Sequence, residues 1–143
     1  MTFCKKVSLL LAILVILPYL LSVLFAVTFK VHTHGIVVVT GASSGLGEHA
    51  AATLATQTEF IVYAGVRKQA DAARLESTYP GIRSVILDVT SQKSIDAAVE
   101  KIIQENKQSP VVALVNNAGV QDDLPIELQS SKADRYNFNV NVF

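Results

Sequence analysis

Thr40-Gly41-Ala42-Ser43-Ser44-Gly45-Leu46-Gly47 is the stretch that decides how this chain folds. It follows Ile36-Val37-Val38-Val39, four β-branched residues in a row, which predict a strand buried on both faces of a parallel sheet. It leads into residues 47–58, where Ala51, Leu54 and Ala55 recur at helical spacing. A strand that ends in a glycine turn and opens a helix aims backbone N–H groups and the positive helix end at one spot, which suits a pyrophosphate. Glycines matter there because a side chain would block the approach. Their spacing, G-x-x-x-G-x-G at Gly41, Gly45 and Gly47, differs from the commoner G-x-G-x-x-G. Alone it would describe an ordinary tight turn; between this strand and this helix it predicts a phosphate-binding corner.

The alternation continues outward from the corner. Phe60-Ile61-Val62-Tyr63-Ala64 predicts a second strand, residues 70–78 a short helix stopped before Pro80-Gly81, and Ser84-Val85-Ile86-Leu87-Asp88 a third strand. Thr90 or Ser91 then caps a helix whose Ile95, Ala98, Val99, Ile102 and Ile103 form one apolar stripe. Val111-Val112-Ala113-Leu114-Val115 predicts a fourth strand running into Asn116-Asn117-Ala118-Gly119. Residues 125–128 read as a loop or short helical turn, and residues 131–143 as a helix that has not ended. Strands alternating with helices of this length imply βαβ units, so the fold class is α/β: a Rossmann-type doubly wound parallel sheet. Such sheets usually carry about six strands in two halves. The chain is therefore expected to hold the N-terminal half of one, truncated, with an unpaired edge.

The first 30 residues differ from the rest. Residues 7–29, VSLLLAILVILPYLLSVLFAVTF, contain no charge. As a helix they would reach about 34 Å, enough for a hydrocarbon core of about 30 Å. A transmembrane signal-anchor helix is expected, with a cleaved signal peptide and a buried core helix as the other readings. Lys5 and Lys6 before the run and Lys30 after it place the N-terminus in the cytoplasm. That predicts a single-pass protein, plausibly of the endoplasmic reticulum, with a lumenal domain. The organisation is then a flank at 1–6, the span at 7–29, a linker at 30–35 and the nucleotide domain at 36–143. Cys4 is the only cysteine, so no intrachain disulfide forms, and its place beside the span leaves palmitoylation or a free thiol. Twelve basic and twelve acidic residues give no net charge, and no basic block points to nucleic acid. No metal site is expected.

Residues 40–47, Asp88-Val89 and Asn116-Asn117-Ala118-Gly119 together resemble the short-chain dehydrogenase/reductase family, over residues 35–143. The resemblance implies an NAD(H)- or NADP(H)-dependent oxidoreductase that moves hydride between a nicotinamide and an alcohol or carbonyl. It implies a cofactor site at Thr40, Gly41, Ser43, Ser44, Gly45, Leu46 and Gly47, with Asp88 and Val89 at the adenine edge. It also places Asn116 beside the ribose, in a sheet-stabilising turn with Ala118 and Gly119, where Gly119 allows close packing. Membrane-anchored members often act on steroids, retinoids or other lipids, so a lipophilic small molecule and a homo-oligomer are the implied partners.

Cofactor choice follows from the residues themselves. An acidic group about 20 positions after the turn would bind a ribose 2′-hydroxyl, and Val66-Arg67 stands there instead. Arg67, helped by Lys68, can pair with a 2′-phosphate, so NADP(H) is favoured over NAD(H). The bland alternative is that both cations merely solvate a loop. Asn141 resembles the family's catalytic asparagine. The family's serine and Tyr-x-x-x-Lys pair would lie beyond Phe143, and no tyrosine of this chain is followed at the fourth position by lysine. Two functions are therefore expected: part of a membrane-anchored NADP(H)-dependent oxidoreductase, inactive alone, or a non-catalytic nucleotide-binding or interaction module at a membrane.

Overall fold

The computed structural model describes residues 14–25, 29, 31–121 and 124–142. The chain divides into two compact units, Met1–Val31 and His32–Phe143. In the first, the described helix covers residues 14–24. Eleven residues make about 16 Å of helix, half of a hydrocarbon core. Among the described residues no helix is long and apolar enough to cross a membrane. The span expected over residues 7–29 is thus not found in what is described; residues 7–13 and 26–28 of it, with Cys4 and the 1–6 flank, lie outside the described residues. The single-pass membrane localisation and lumenal orientation are corrected accordingly.

The second unit runs β1 (His34–Val39), α1 (Gly45–Gln57), β2 (Glu59–Val66), α2 (Gln69–Thr78), β3 (Ile82–Ile86), α3 (Gln92–Glu105), β4 (Val111–Val115), a 3-10 turn (Ile126–Leu128) and α4 (Ser131–Asn141). The described strands form one parallel sheet in the order β3-β2-β1-β4. The chain moves from β1 outward through β2 to β3, then returns to the far side of β1 for β4. This reversal is a topological switch point, where the segments leaving adjacent strand ends diverge and open a crevice. Val39 is level with both Ala64 and Val115, so β1 and β4 end at one height while β2 runs two residues further, to Val66.

Strand alternation divides the core between the two faces of the sheet. Val37 and Val39 pack with Ala51 of α1 and with Ala72 and Leu75 of α2. Ile36 and Val38 pack on the other face with Tyr63, Val85, and Ala98 and Ile102 of α3. β1 is buried on both faces as its β-branched run predicts. Small residues let α1 sit close: Gly47 and Ala51 are its buried positions, and Leu54 and Ala55 complete the contact.

The structure refines three local expectations. β3 begins at Ile82, two residues early, because Ile82 pairs with Val62 at the sheet edge. Ser91, rather than Thr90, caps α3, its hydroxyl accepting from the Ser94 N–H. The apolar stripe of α3 is only half used: Ala98 and Ile102 are buried, whereas Val99 and Ile103 are exposed beside Val111 and Leu114 of edge strand β4.

Candidate cofactor-binding site

The crevice is built by stitching the turn after β1 to the turn after β4. Thr40 is buried, and its hydroxyl accepts from the N–H groups of Asn117 at 3.0 Å and Ala118 at 2.9 Å while donating to the Val115 carbonyl at 3.3 Å. Asn117 answers through its side-chain amide, which donates to the carbonyls of Thr40 at 3.0 Å and Gly41 at 3.2 Å. Gly41 has φ +64°, and a Cβ there would stand 2.6 Å from Ala118 Cα. The two turns approach as closely as backbone allows.

That contact aims α1 at the crevice. Ser44 precedes the helix in an extended conformation and makes no side-chain cap, unlike Ser91 and Ser130, which accept from the N–H groups of Ser94 and Ala133. The first-turn N–H groups of α1 are therefore left to a ligand. Gly45 has φ +60°, with nothing within 4 Å of where a Cβ would point. Gly47 is the reverse: a Cβ would strike the Asn117 amide and lie 2.5 Å from the Gly41 carbonyl oxygen. One glycine gives the turn its shape, and the other lets the helix start against the strand.

A carboxylate in the first turn would oppose a pyrophosphate, and Glu48 sits there. Arg74 neutralises it, NH1 and NH2 donating to its two oxygens at 2.8 and 2.9 Å. The Arg74 hydrogen bonds, with the Tyr79 hydroxyl at 3.1 Å, hold the Glu48 carboxyl below the usual glutamate range.

The resulting cleft holds about 320 Å³, within the range of small-molecule sites. Of the residues expected from the sequence, Gly41, Ser43, Ser44, Leu46 and Gly47 form its floor, Arg67, Asp88 and Val89 one wall, and Ala118 and Gly119 the other. Asp88 is pinned by Thr90, whose hydroxyl and N–H donate to Oδ1 at 2.6 and 2.9 Å and hold the carboxyl below its usual range. The positive charge of Arg67 lowers it further.

Four expected residues do not line the cleft. Thr40 acts from behind as the pin described above. Gly45 shapes the turn from outside. Asn116 faces the apolar groove between α3 and β4, with Val38 and Leu114, because alternation at the end of β4 turns it away from the cleft and Asn117 toward it. Asn141 clamps the Val120 backbone, its Oδ1 accepting from the N–H at 2.9 Å and its Nδ2 donating to the carbonyl at 2.8 Å. Nor is Gly119 the point of tight packing: a Cβ there would meet Asn141 Oδ1 at 3.5 Å, an ordinary contact. Gly65, Leu87, Asn117, Val120 and Val140 line the cleft without having been singled out. Only Asn117 carried a signal, as the other amide of the same pair.

Glycine cradle, uncapped helix start and switch-point crevice fit a dinucleotide pyrophosphate, so fold and cleft together define a dinucleotide-binding α/β domain. The family model for short chain dehydrogenase matches residues 35–143. The chain belongs to that family of NAD(P)-dependent oxidoreductases. It is 36% identical over 107 residues to the NADPH-dependent 3-dehydrocapnine reductase of Ornithobacterium rhinotracheale, covering 74% of this chain and 38% of that one. With the 3-ketodihydrosphingosine reductase of Bacteroides thetaiotaomicron it shares 35% over 108 residues, covering 76% and 37%. The structure superposes on NADPH-bound carbonyl reductase from chicken fatty liver with a TM-score of 0.66 and 29% identity, covering 78% and 47%. The chain thus spans less than half the length of each.

Proposed function

We propose that this chain forms the NADP(H)-holding part of a carbonyl-reducing oxidoreductase. The carrying observation is Arg67. It stands at the end of β2, where a ribose-binding carboxylate would otherwise be, and it lines the same cleft as the glycine turn. A fixed cation there favours a 2′-phosphate over a 2′-hydroxyl. Relatives named as an NADPH-dependent reductase and as a ketosphingoid reductase support both the cofactor and a lipophilic carbonyl substrate. Bound in this cleft, the nicotinamide supplies the hydride. The chain's own residues hold and orient it: Thr40 and Asn117 brace the two turns, α1 receives the pyrophosphate, and the outer oxygen of Asp88, turned away from Thr90, takes the adenine edge. Asn141, aligned with the family's catalytic asparagine, acts here as a positioning residue through Val120.

Proton transfer needs a group this chain does not carry. A tyrosine titrating near 10 needs an adjacent cation to serve at neutral pH, and no Tyr-x-x-x-Lys exists in the sequence. Tyr63 donates to Glu105 at 2.5 Å, and Tyr79 to Glu48. This favours a second reading for the chain acting alone, a nucleotide-binding module without turnover. Titrating the full chain with NADPH and NADH while following NADPH consumption against a carbonyl substrate tests both. Binding that prefers NADPH, with no consumption, is expected. Turnover above background overturns the module, and failure to bind either cofactor overturns both readings.

A further inference from the structure

Arg67 is not left loose at the mouth of the cleft. Its NH1 donates to the Tyr136 hydroxyl at 3.0 Å, joining the end of β2 to α4 across 69 residues of sequence. Tyr136 lies one helical turn before Val140, which lines the cleft. Beyond Val140, Asn141 fastens the C-terminal end of α4 to Val120. The helix is therefore held at its middle and at its C-terminal end against opposite walls of one site, and Tyr136 is its anchor on the arginine side. It is half exposed, so the contact has not been forced by burial in a core.

We infer that Tyr136 is a specificity-determining residue of this site, completing with Arg67 a two-sided receptor for the 2′-phosphate of a dinucleotide. This deepens the NADP(H) reading and rests on it. A phenol can accept one hydrogen bond and donate another. The Arg67 bond uses an acceptor lone pair and leaves the phenolic proton, which makes no other hydrogen bond among the described residues. The same bond removes rotamers from a long side chain before any ligand arrives, so the guanidinium fork is ordered in advance. A phosphate offers each group its own negatively charged oxygen, whereas a ribose hydroxyl offers one neutral oxygen that both would have to share. Tyr136 thereby acts on one cofactor and leaves the other untouched.

The test measures NADPH and NADH dissociation constants for the full chain and for Tyr136→Phe, Arg67→Ala and the double variant. Tyr136→Phe keeps the ring and removes only the hydroxyl, and far-ultraviolet circular dichroism checks that α4 persists. Loss of one hydrogen bond to a charged group predicts about tenfold weaker NADPH binding with NADH unchanged. Arg67→Ala is expected to abolish the preference, and the double variant to lose less than the product of the two single losses, since the two residues act together. A selective Arg67→Ala with a silent Tyr136→Phe overturns the role of Tyr136 while leaving the NADP(H) reading intact. Equal weakening of both cofactors by Tyr136→Phe makes the tyrosine structural and also overturns it. A wild type that binds neither cofactor or prefers NADH, or an Arg67→Ala variant that keeps the preference, overturns the underlying reading and this one with it.

Discussion

The Arg74 guanidinium donates at 2.7 Å to the carbonyl oxygen of Ser43, so a residue of α2 fixes the backbone of the glycine turn from outside the cleft. The same side chain holds Glu48 in a two-pronged pair. Arg74 does not itself line the cleft, yet it sets the Ser43–Ser44 peptide and cancels the one negative charge at the start of α1. Arg74→Ala is expected to weaken NADPH and NADH by the same factor, about three- to tenfold, because the pyrophosphate is common to both. Arg74→Lys would keep the charge and lose the fork, and should recover only part of the affinity. Equilibrium titration of both cofactors checks it; a loss confined to NADPH would place Arg74 in the 2′-phosphate site instead.

Acid should loosen the site through two carboxylates. Glu48 and Asp88 both have folded-state pKa values lowered by hydrogen bonds, from Arg74 and from Thr90 respectively. A lowered value means that the folded state binds fewer protons than the unfolded chain. The stability each contributes is therefore complete above its ordinary value, about 4.3 for glutamate and 3.9 for aspartate, and is lost as pH falls through the lowered one. Urea midpoints between about pH 6 and pH 3 should fall for the wild type. The fall should be shallower for Glu48→Gln and for Asp88→Asn, the variants differing most from the wild type at the neutral end. Parallel curves for wild type and variants would show that neither carboxylate is coupled to folding.

What the sequence could reveal follows the range over which each interaction acts. β1, the glycine turn and α1 were legible because strand propensity, turn chemistry and helical spacing agree within 25 residues. The stripe on α3 told of an apolar face but not of its cover: Ala98 and Ile102 reach the sheet, while Ile103 and Leu114 are left facing the groove. Asn116 and Asn117 are indistinguishable as letters, and only the exit direction of β4 assigns one to the groove and the other to the cleft. Arg67 with Tyr136, and Arg74 with Ser43, join elements 69 and 31 residues apart. No local pattern encodes them. The uncharged run at residues 7–29 was read by hydropathy alone, which reports the solvent a segment tolerates; of that run the described helix covers residues 14–24.

Asp88 and Arg67 share a cleft wall but should separate in function. The adenine edge is identical in NADPH and NADH, so Asp88→Ala is expected to weaken both by about tenfold, the worth of one charge-assisted hydrogen bond. Thr90→Val should give a smaller, equally unselective loss, because it frees the carboxylate to rotate rather than removing it. A competition titration with adenosine monophosphate isolates this half of the site. An Asp88→Ala variant that binds the adenine nucleotide as tightly as the wild type would confine Asp88 to its turn with Thr90.

The three glycines of the turn should fail for three different reasons. At Gly45 the backbone is left-handed but open space surrounds the missing Cβ. Gly45→Ala therefore incurs only the conformational strain, about 1 kcal/mol, and should fold with a modestly lowered urea midpoint. At Gly47 the backbone is ordinary and the space is not, since a Cβ would press on the Gly41 carbonyl and the Asn117 amide. Gly47→Ala must move α1 off the strand, which costs about 1–3 kcal/mol and displaces the N–H groups that receive the pyrophosphate. Gly41 combines both problems, a left-handed backbone and the Ala118 Cα at 2.6 Å, so Gly41→Ala should be the most damaging at about 3 kcal/mol or more. Chemical denaturation ranks the three. The decisive comparison is binding by the folded variants: Gly47→Ala should lose NADPH and NADH affinity out of proportion to its stability, whereas Gly45→Ala should keep most of both. The reverse order would mean that the open side of Gly45, rather than the close seat of Gly47, is where the phosphates need room.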